Sequence, residues 1–195
     1  KQGMPATISL MLIGLGIYNI LFFVSKFGDI ATGGYGVALR IEQLLLLPTI
    51  GLNTAVLSIT GQNFGAKEYS RIKEAYFKAI FYGACLMLIA GIFVFFSGNF
   101  LMQLFTSDKE VIEYGVKYLK IAAFIGPVYP IFFITNAFFQ GIKKPIYSTY
   151  INFFRIVALP FGIMWLILNY FNGSFEDLFL GLLVINWVFG IFIVI

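Results

Sequence analysis

The chain has 195 residues, of which 60% are hydrophobic and 11% charged, with a formal net charge of +4 and no histidine. Soluble domains carry about 25% charged residues, so this composition excludes a water-exposed globular exterior and points to lipid as the solvent. The basic residues fall in short clusters between apolar runs, which excludes a nucleic-acid surface. The lone Cys85 lies in an apolar run, where it is expected to serve packing, and it has no intrachain disulfide partner.

The apolar runs come in chain order from about Pro5 to Val24, Gly33 to Thr60, Ala75 to Phe96, Tyr118 to Phe139, Ile146 to Tyr170 and Leu178 to Ile195. Each is near the roughly 20 residues that span a bilayer as a helix, and none alternates as a barrel strand does. The expected fold is therefore all-α: a polytopic bundle of six transmembrane helices occupying 1–195. Lys1 to Ser25 is too continuously apolar for a cleavable signal peptide and has no clear small-residue cleavage site.

Lys67, Arg71, Lys73 and Lys78 follow the second run, and Lys143 and Lys144 follow the fourth. The opposite links carry Asp29, then Asp108, Glu110 and Glu113, then Glu176 and Asp177, together with Lys26, Lys109, Lys117 and Lys120. The asymmetry puts the Lys67–Lys78 and Lys143–Lys144 links in the cytoplasm, with the first helix running outward. The last run stops at Phe192-Ile193-Val194-Ile195 without a basic flank, which suggests a segment of a longer protein. No internal repeat is evident.

Arg40, Glu42 and Arg155 lie inside runs, where each charge costs about 2.5–3.5 kcal/mol at a helix centre. Thr49, Asn53 and Thr60 follow Glu42 at intervals that keep all four within about 40° on a helix. This stripe reads either as the lining of a transport cavity or as interhelical hydrogen-bond glue. Arg40, about seven residues into its run, lines the cavity or snorkels outward. Ser148, Asn152 and Arg155 share a face of the fifth helix, with Arg155 reaching either lipid phosphates or a partner helix.

Pro5 and Pro145 start helices, while Pro48, Pro127, Pro130 and Pro160 sit inside them and permit kinks. On the first helix, Thr7, Met11, Gly14 and Tyr18 share a face that serves either as ordinary packing or as an aromatic wall for flat cations.

The segment containing Arg40, Glu42, Pro48, Gly51, Ala55, the string Gly61-Gln62-Asn63-Phe-Gly65-Ala66, and Arg71 resembles the eighth helix of the multidrug and toxic compound extrusion (MATE) family and the link after it. Asn136, Phe139-Gln140-Gly141, Pro145, Asn152, Arg155 and Pro160 are similar to the family's link between its tenth and eleventh helices. The opening Gly3-Met-Pro5-Ala and Ser9 resemble the start of its seventh. The resemblance covers nearly the whole chain. It implies the C-terminal lobe, helices seven to twelve, of a twelve-helix transporter whose N-terminal lobe is absent from this chain.

What the resemblance implies further is export of organic cations and amphipathic compounds in antiport with H⁺ or Na⁺, without other cofactors, by a multi-pass protein of a bacterial inner membrane. A related flippase for lipid-linked saccharides and a non-transporting membrane scaffold are the alternatives; without histidine, an acid pair or a nucleophile motif, an enzyme is not expected. One branch of the family carries cation-binding carboxylates on its seventh and tenth helices. This chain has none there, although Asn136 falls on the matching tenth helix. Either Glu42 takes part in coupling or the ion site lies in the absent lobe, where other branches place a carboxylate.

The string Gly61 to Ala66 also has a local physical reading. Gly61 and Gly65 bracket the end of the second helix and allow backbone turns closed to other residues, while Gln62 and Asn63 cap its last carbonyls. It is expected to be a cytoplasmic corner ahead of Arg71.

Overall fold

A computed structural model describes residues 3–194, with the side chains of residues 3–6, Ser9 and Leu10 excepted. The readings that used Lys1, Ile195 and the side chains of Pro5 and Ser9 lie outside the described residues. Six helices follow one another: α1 (Gly3–Val24), α2 (Asp29–Gly65), α3 (Tyr69–Gln103), α4 (Lys109–Gly141), α5 (Pro145–Tyr170) and α6 (Phe175–Val194). Among the described residues five helices are long and apolar enough to cross a membrane, and the apolar stretch Met11–Phe27 belongs to α1 and the turn after it.

The helices outrun their apolar cores. The second run was expected from Gly33 to Thr60 and the third from Ala75 to Phe96, yet α2 and α3 extend to 37 and 35 residues. Asp29, Glu110, Glu176 and Asp177 sit in helical first turns rather than in links, where a carboxylate complements the helix dipole. Asp108 caps α4 by accepting from the backbone N–H groups of Glu110 and Val111. Arg40 therefore stands about eleven residues, roughly 16 Å, from the start of its helix.

Both basic corners are the same object. At the end of α2, Glu68 N–H donates to Asn63 O (2.9 Å) and Lys67 N–H to Phe64 O (3.2 Å); at the end of α4, Lys144 N–H donates to Phe139 O (2.9 Å) and Lys143 N–H to Gln140 O (3.1 Å). These are Schellman caps. The left-handed position is held by Lys67 (φ 63°) and Lys143 (φ 61°), not by glycine. This corrects the expectation for Gly61 and Gly65, which are ordinary helical residues of α2. Of their neighbours, Asn63 Nδ2 reaches back to Ile59 O (2.8 Å), Gln62 Nε2 meets Ser58 Oγ (3.4 Å), and Ala66 and Arg71 are exposed.

Lipid removes the hydrophobic drive between helices, so association depends on close backbone approach and interhelical hydrogen bonds. α2 and α4 run parallel and meet along their length. A Cβ on Gly34 would come within 2.7 Å of Val111 O, and one on Gly141 within 2.6 Å of Thr60 Cγ2. Gly91 of α3 lies against Ala123 O, which a Cβ would reach at 2.5 Å. Pro127 cannot donate to that carbonyl.

The proline positions mark breaks in two helices and none in a third. α4 tightens into a 3-10 turn at Gly126–Val128 beside Pro127 and Pro130, and α5 widens into a π turn at Phe153–Ala158 before Pro160. α2 passes Pro48 without a break. Side chains from other helices supply donors near the two breaks: Trp187 Nε1 to Phe124 O (2.9 Å) and Asn19 Nδ2 to Val157 O (3.2 Å). Cys85 is exposed on α3, contrary to its expected packing role.

Candidate transport site

α2 presents two polar faces with opposite environments. Glu42, Thr49 and Thr60 are buried, and Asn53 is half-buried with its Nδ2 donating to Phe133 O of α4 (2.6 Å). The stripe that reads from the sequence as either a cavity lining or interhelical hydrogen-bond glue is turned into the bundle, with Asn53 bonded to α4. Thr60 fills the tight α2–α4 seam against Gly141, and the buried hydroxyls of Thr49 and Thr60 have no partner among the described residues. The exposed polar face is a different one: Arg40, Gln43, Leu47, Gly51, Thr54, Ser58 and Gln62, all exposed, recur every three or four residues and so form one helical stripe.

Glu42, 7% exposed, is the focus of the inner face. Its carboxylate accepts from two tyrosines of α4: Tyr118 Oη on Oε2 and Tyr129 Oη on Oε1, the latter at 2.7 Å. Eleven residues of helix rise about 16 Å, yet both hydroxyls reach one carboxyl group across the 3-10 turn that separates them. Tyr35, buried on α2 one side of the cluster, packs edge-on to Tyr118 (4.9 Å) and stacks on Phe179 of α6 (5.4 Å).

Arg155 comes from the π turn of α5. Its guanidinium lies 4.1 Å from the ring centre of Phe132 and 5.0 Å from that of Tyr129, and its Nε donates to Asn186 Oδ1 of α6 (3.3 Å). Of the two destinations open for this arginine, the structure has the partner helix. Tyr35, Tyr118, Tyr129, Arg155 and Asn186 line a cavity of about 120 Å³, large enough to admit water. Arg155 carries positive charge to it, and Glu42 stands behind two of its tyrosines.

Asn136 and Asn152 are joined by one hydrogen bond, and Asn136 Oδ1 is left buried without a partner among the described residues. Asn136 Nδ2 donates to Asn152 Oδ1 (2.9 Å), and Ser148 Oγ donates to Asn136 O (3.1 Å), which clamps α4 to α5 below the Arg155 cavity. Tyr18 is 70% exposed on α1, and Met11 and Gly14 on the same face are exposed too.

The sequence did not single out Tyr35, Tyr129 or Asn186, and Tyr118 stood there only as the start of the fourth apolar run. The 11-residue spacing of Tyr118 and Tyr129 was available as a signal. It is the interval that aligned Asn53 with Glu42, three turns on one helix face. Nothing in the pattern singled out Asn186, a lone amide in an apolar helix.

Comparison with known proteins gives the frame. The chain is 28% identical over 163 residues to the probable multidrug resistance protein YpnP of Bacillus subtilis, covering 83% of this chain and 37% of that protein. It is 28% identical over 121 residues to the multidrug export protein MepA of Staphylococcus aureus, covering 62% and 27% respectively. A solved MOP superfamily transporter from Pyrococcus furiosus has the same fold, with a TM-score of 0.93 at 22% identity, covering 98% of this chain and 43% of that one. The chain thus spans about two-fifths of the length of the Bacillus and Pyrococcus proteins. The MatE family profile matches residues 5–166, and the chain accordingly belongs to the MatE family of multi-pass membrane transporters.

Proposed function

We propose that this chain is the C-terminal six-helix lobe of a twelve-helix efflux transporter that exports organic cations and amphipathic compounds in antiport with H⁺. The observation that carries the reading is the double character of α2. One face holds the membrane-embedded carboxylate Glu42 against α4, and another exposes Gln43, Thr54, Ser58 and Gln62. Exposed polar side chains along a bilayer-length helix are costly against lipid. A water-filled chamber shared with an N-terminal lobe removes that cost.

A proton suits the inner site better than Na⁺. A proton needs only the carboxylate itself, whereas a hard cation needs several oxygen acceptors and here meets a carboxylate already occupied by two tyrosine O–H donors. When Glu42 takes a proton, its carboxyl becomes a donor, so one tyrosine must turn from donating to accepting. That rearrangement acts on the α2–α4 seam and therefore on the outer face of the same helix. The basic corners lie in the cytoplasm of a bacterial cell in this reading.

The test is export of a fluorescent organic cation by the protein at its full natural length, reconstituted in vesicles with an imposed pH gradient. Glu42→Gln is expected to abolish stimulation by the gradient while substrate still binds. Wild-type stimulation in this variant would remove Glu42 from coupling.

A further inference from the structure

We infer that a groove between the basic ends of α3 and α4 is a binding site for an anionic phospholipid of the cytoplasmic leaflet. The groove has a volume of about 460 Å³ and is walled by aromatic and aliphatic side chains, among them Phe64, Tyr69, Tyr76, Phe138 and Ile142. On α3 the lining residues Tyr69, Ile72, Lys73 and Tyr76 recur at helical spacing, so one face of its first two turns forms a wall. The last turns of α4 form the other.

The floor is a cross-link. Tyr76 Oη and Thr135 Oγ1 are 2.8 Å apart, and Tyr76 also packs edge-on to Phe138 (5.4 Å). The groove is therefore about two helical turns deep, roughly 10 Å. That is too short to seat a spanning helix, which needs about 20 residues of contact length. It suits the upper part of an acyl chain.

The charge at the mouth selects the headgroup. Lys73 lines the groove itself. Lys67 and Arg71 precede it on the corner and first turn of α3, and Lys143 and Lys144 follow Ile142 at once; all five are exposed, and none makes an ion pair among the described residues. The opposing acids are Glu68 and Glu74, and Glu74 is already held by Lys78 at 2.6 Å. Basic clefts between transmembrane helices on the cytoplasmic side are suited to anionic headgroups, each nearby Lys or Arg adding to the attraction. Tyr69, exposed at the rim, has the amphipathic ring favoured at the headgroup level. The inference rests on the basic end facing the cytoplasm, but not on any coupling role for Glu42.

The experiment uses the protein at its full natural length in mild detergent, titrated with phosphatidylglycerol or with phosphatidylcholine of identical chains and read by native mass spectrometry and by melting temperature. Phosphatidylglycerol is expected to bind and to raise the melting temperature more than phosphatidylcholine does. Lys73→Gln should weaken its binding about fivefold, and Ile142→Trp, which fills the mouth without changing charge, should weaken both lipids. Lys120→Gln, at the opposite end, should change nothing. Glycerol phosphate without acyl chains should not stabilise the protein; if it matches the lipid, the ligand is a free phosphate and the proposal fails. Equal binding of both lipids, or unchanged phosphatidylglycerol binding in Lys73→Gln and Ile142→Trp, overturns it as well.

Discussion

Glu42 and Arg155 stand on either side of Tyr129. The tyrosine hydroxyl donates to the carboxylate at 2.7 Å, while the guanidinium lies 5.0 Å from the centre of the same ring. No direct ion pair joins the two charges among the described residues. One neutral side chain thus serves both, by its oxygen and by its π face.

This arrangement makes the cluster non-additive. Tyr129→Phe removes a hydrogen bond to a charged group, and Tyr118→Phe removes its counterpart; each is expected to cost about 1.5–3 kcal/mol. In a double-mutant cycle with Glu42→Gln, measured by unfolding in detergent, the coupling energy should be about 1–2 kcal/mol. Additive losses would mean that the tyrosines do not act through the carboxylate.

Arg155→Lys keeps the charge but loses the planar group that covers two rings and reaches Asn186. It should lower export substantially while leaving expression near wild type. Asn186→Leu, which removes the Arg155 Nε contact and the bond from Asn186 Nδ2 to Leu182 O (2.8 Å) but leaves the guanidinium over its two rings, should have a smaller effect in the same transport assay.

The glycine positions separate by what a methyl group meets. Gly34→Ala and Gly91→Ala drive a Cβ onto backbone oxygens at 2.7 and 2.5 Å and should destabilise the lobe by about 1–3 kcal/mol. At Gly36 a Cβ meets nothing within 4 Å, so Gly36→Ala should be neutral or stabilising by up to about 1 kcal/mol. Thermal unfolding of the three variants provides the comparison.

The two faces of α2 can be read by chemistry. In a Cys85→Ser background, single cysteines at Thr54 and Ser58 should react with a water-soluble maleimide in the full-length protein. A cysteine at Thr60, sealed against Gly141, should stay protected. Equal labelling of all three would refute the assignment of the inner and outer stripes.

Much of the fold was legible because lipid imposes so strong a constraint. Six apolar runs of spanning length leave little other than a helical bundle, and short links force neighbouring helices to be antiparallel. The ends of the helices were less legible. Charged turns such as Tyr69–Glu74 and Lys109–Lys117 interrupt the continuous apolar runs, yet they continue the helices by local hydrogen bonding and bury Ile72 and Ile112. The left-handed corners were misplaced onto Gly61 and Gly65 because glycine is the usual occupant. At Lys67 and Lys143 two interlocking backbone hydrogen bonds hold a lysine there instead.

The sequence by itself determined that Glu42, Arg40 and Arg155 are embedded charges and that Glu42, Thr49, Asn53 and Thr60 share one side of α2. It could not say which way that side turns, because a lone helix has no inside. The α2–α4 seam decided it: Gly34, Gly141 and Gly115, where a Cβ would lie 3.1 Å from Gly34 O, allow backbone contact only in one rotation of the helices. That rotation buries Glu42 beneath Tyr118 and Tyr129 and leaves Gln43, Thr54 and Ser58 on the open face.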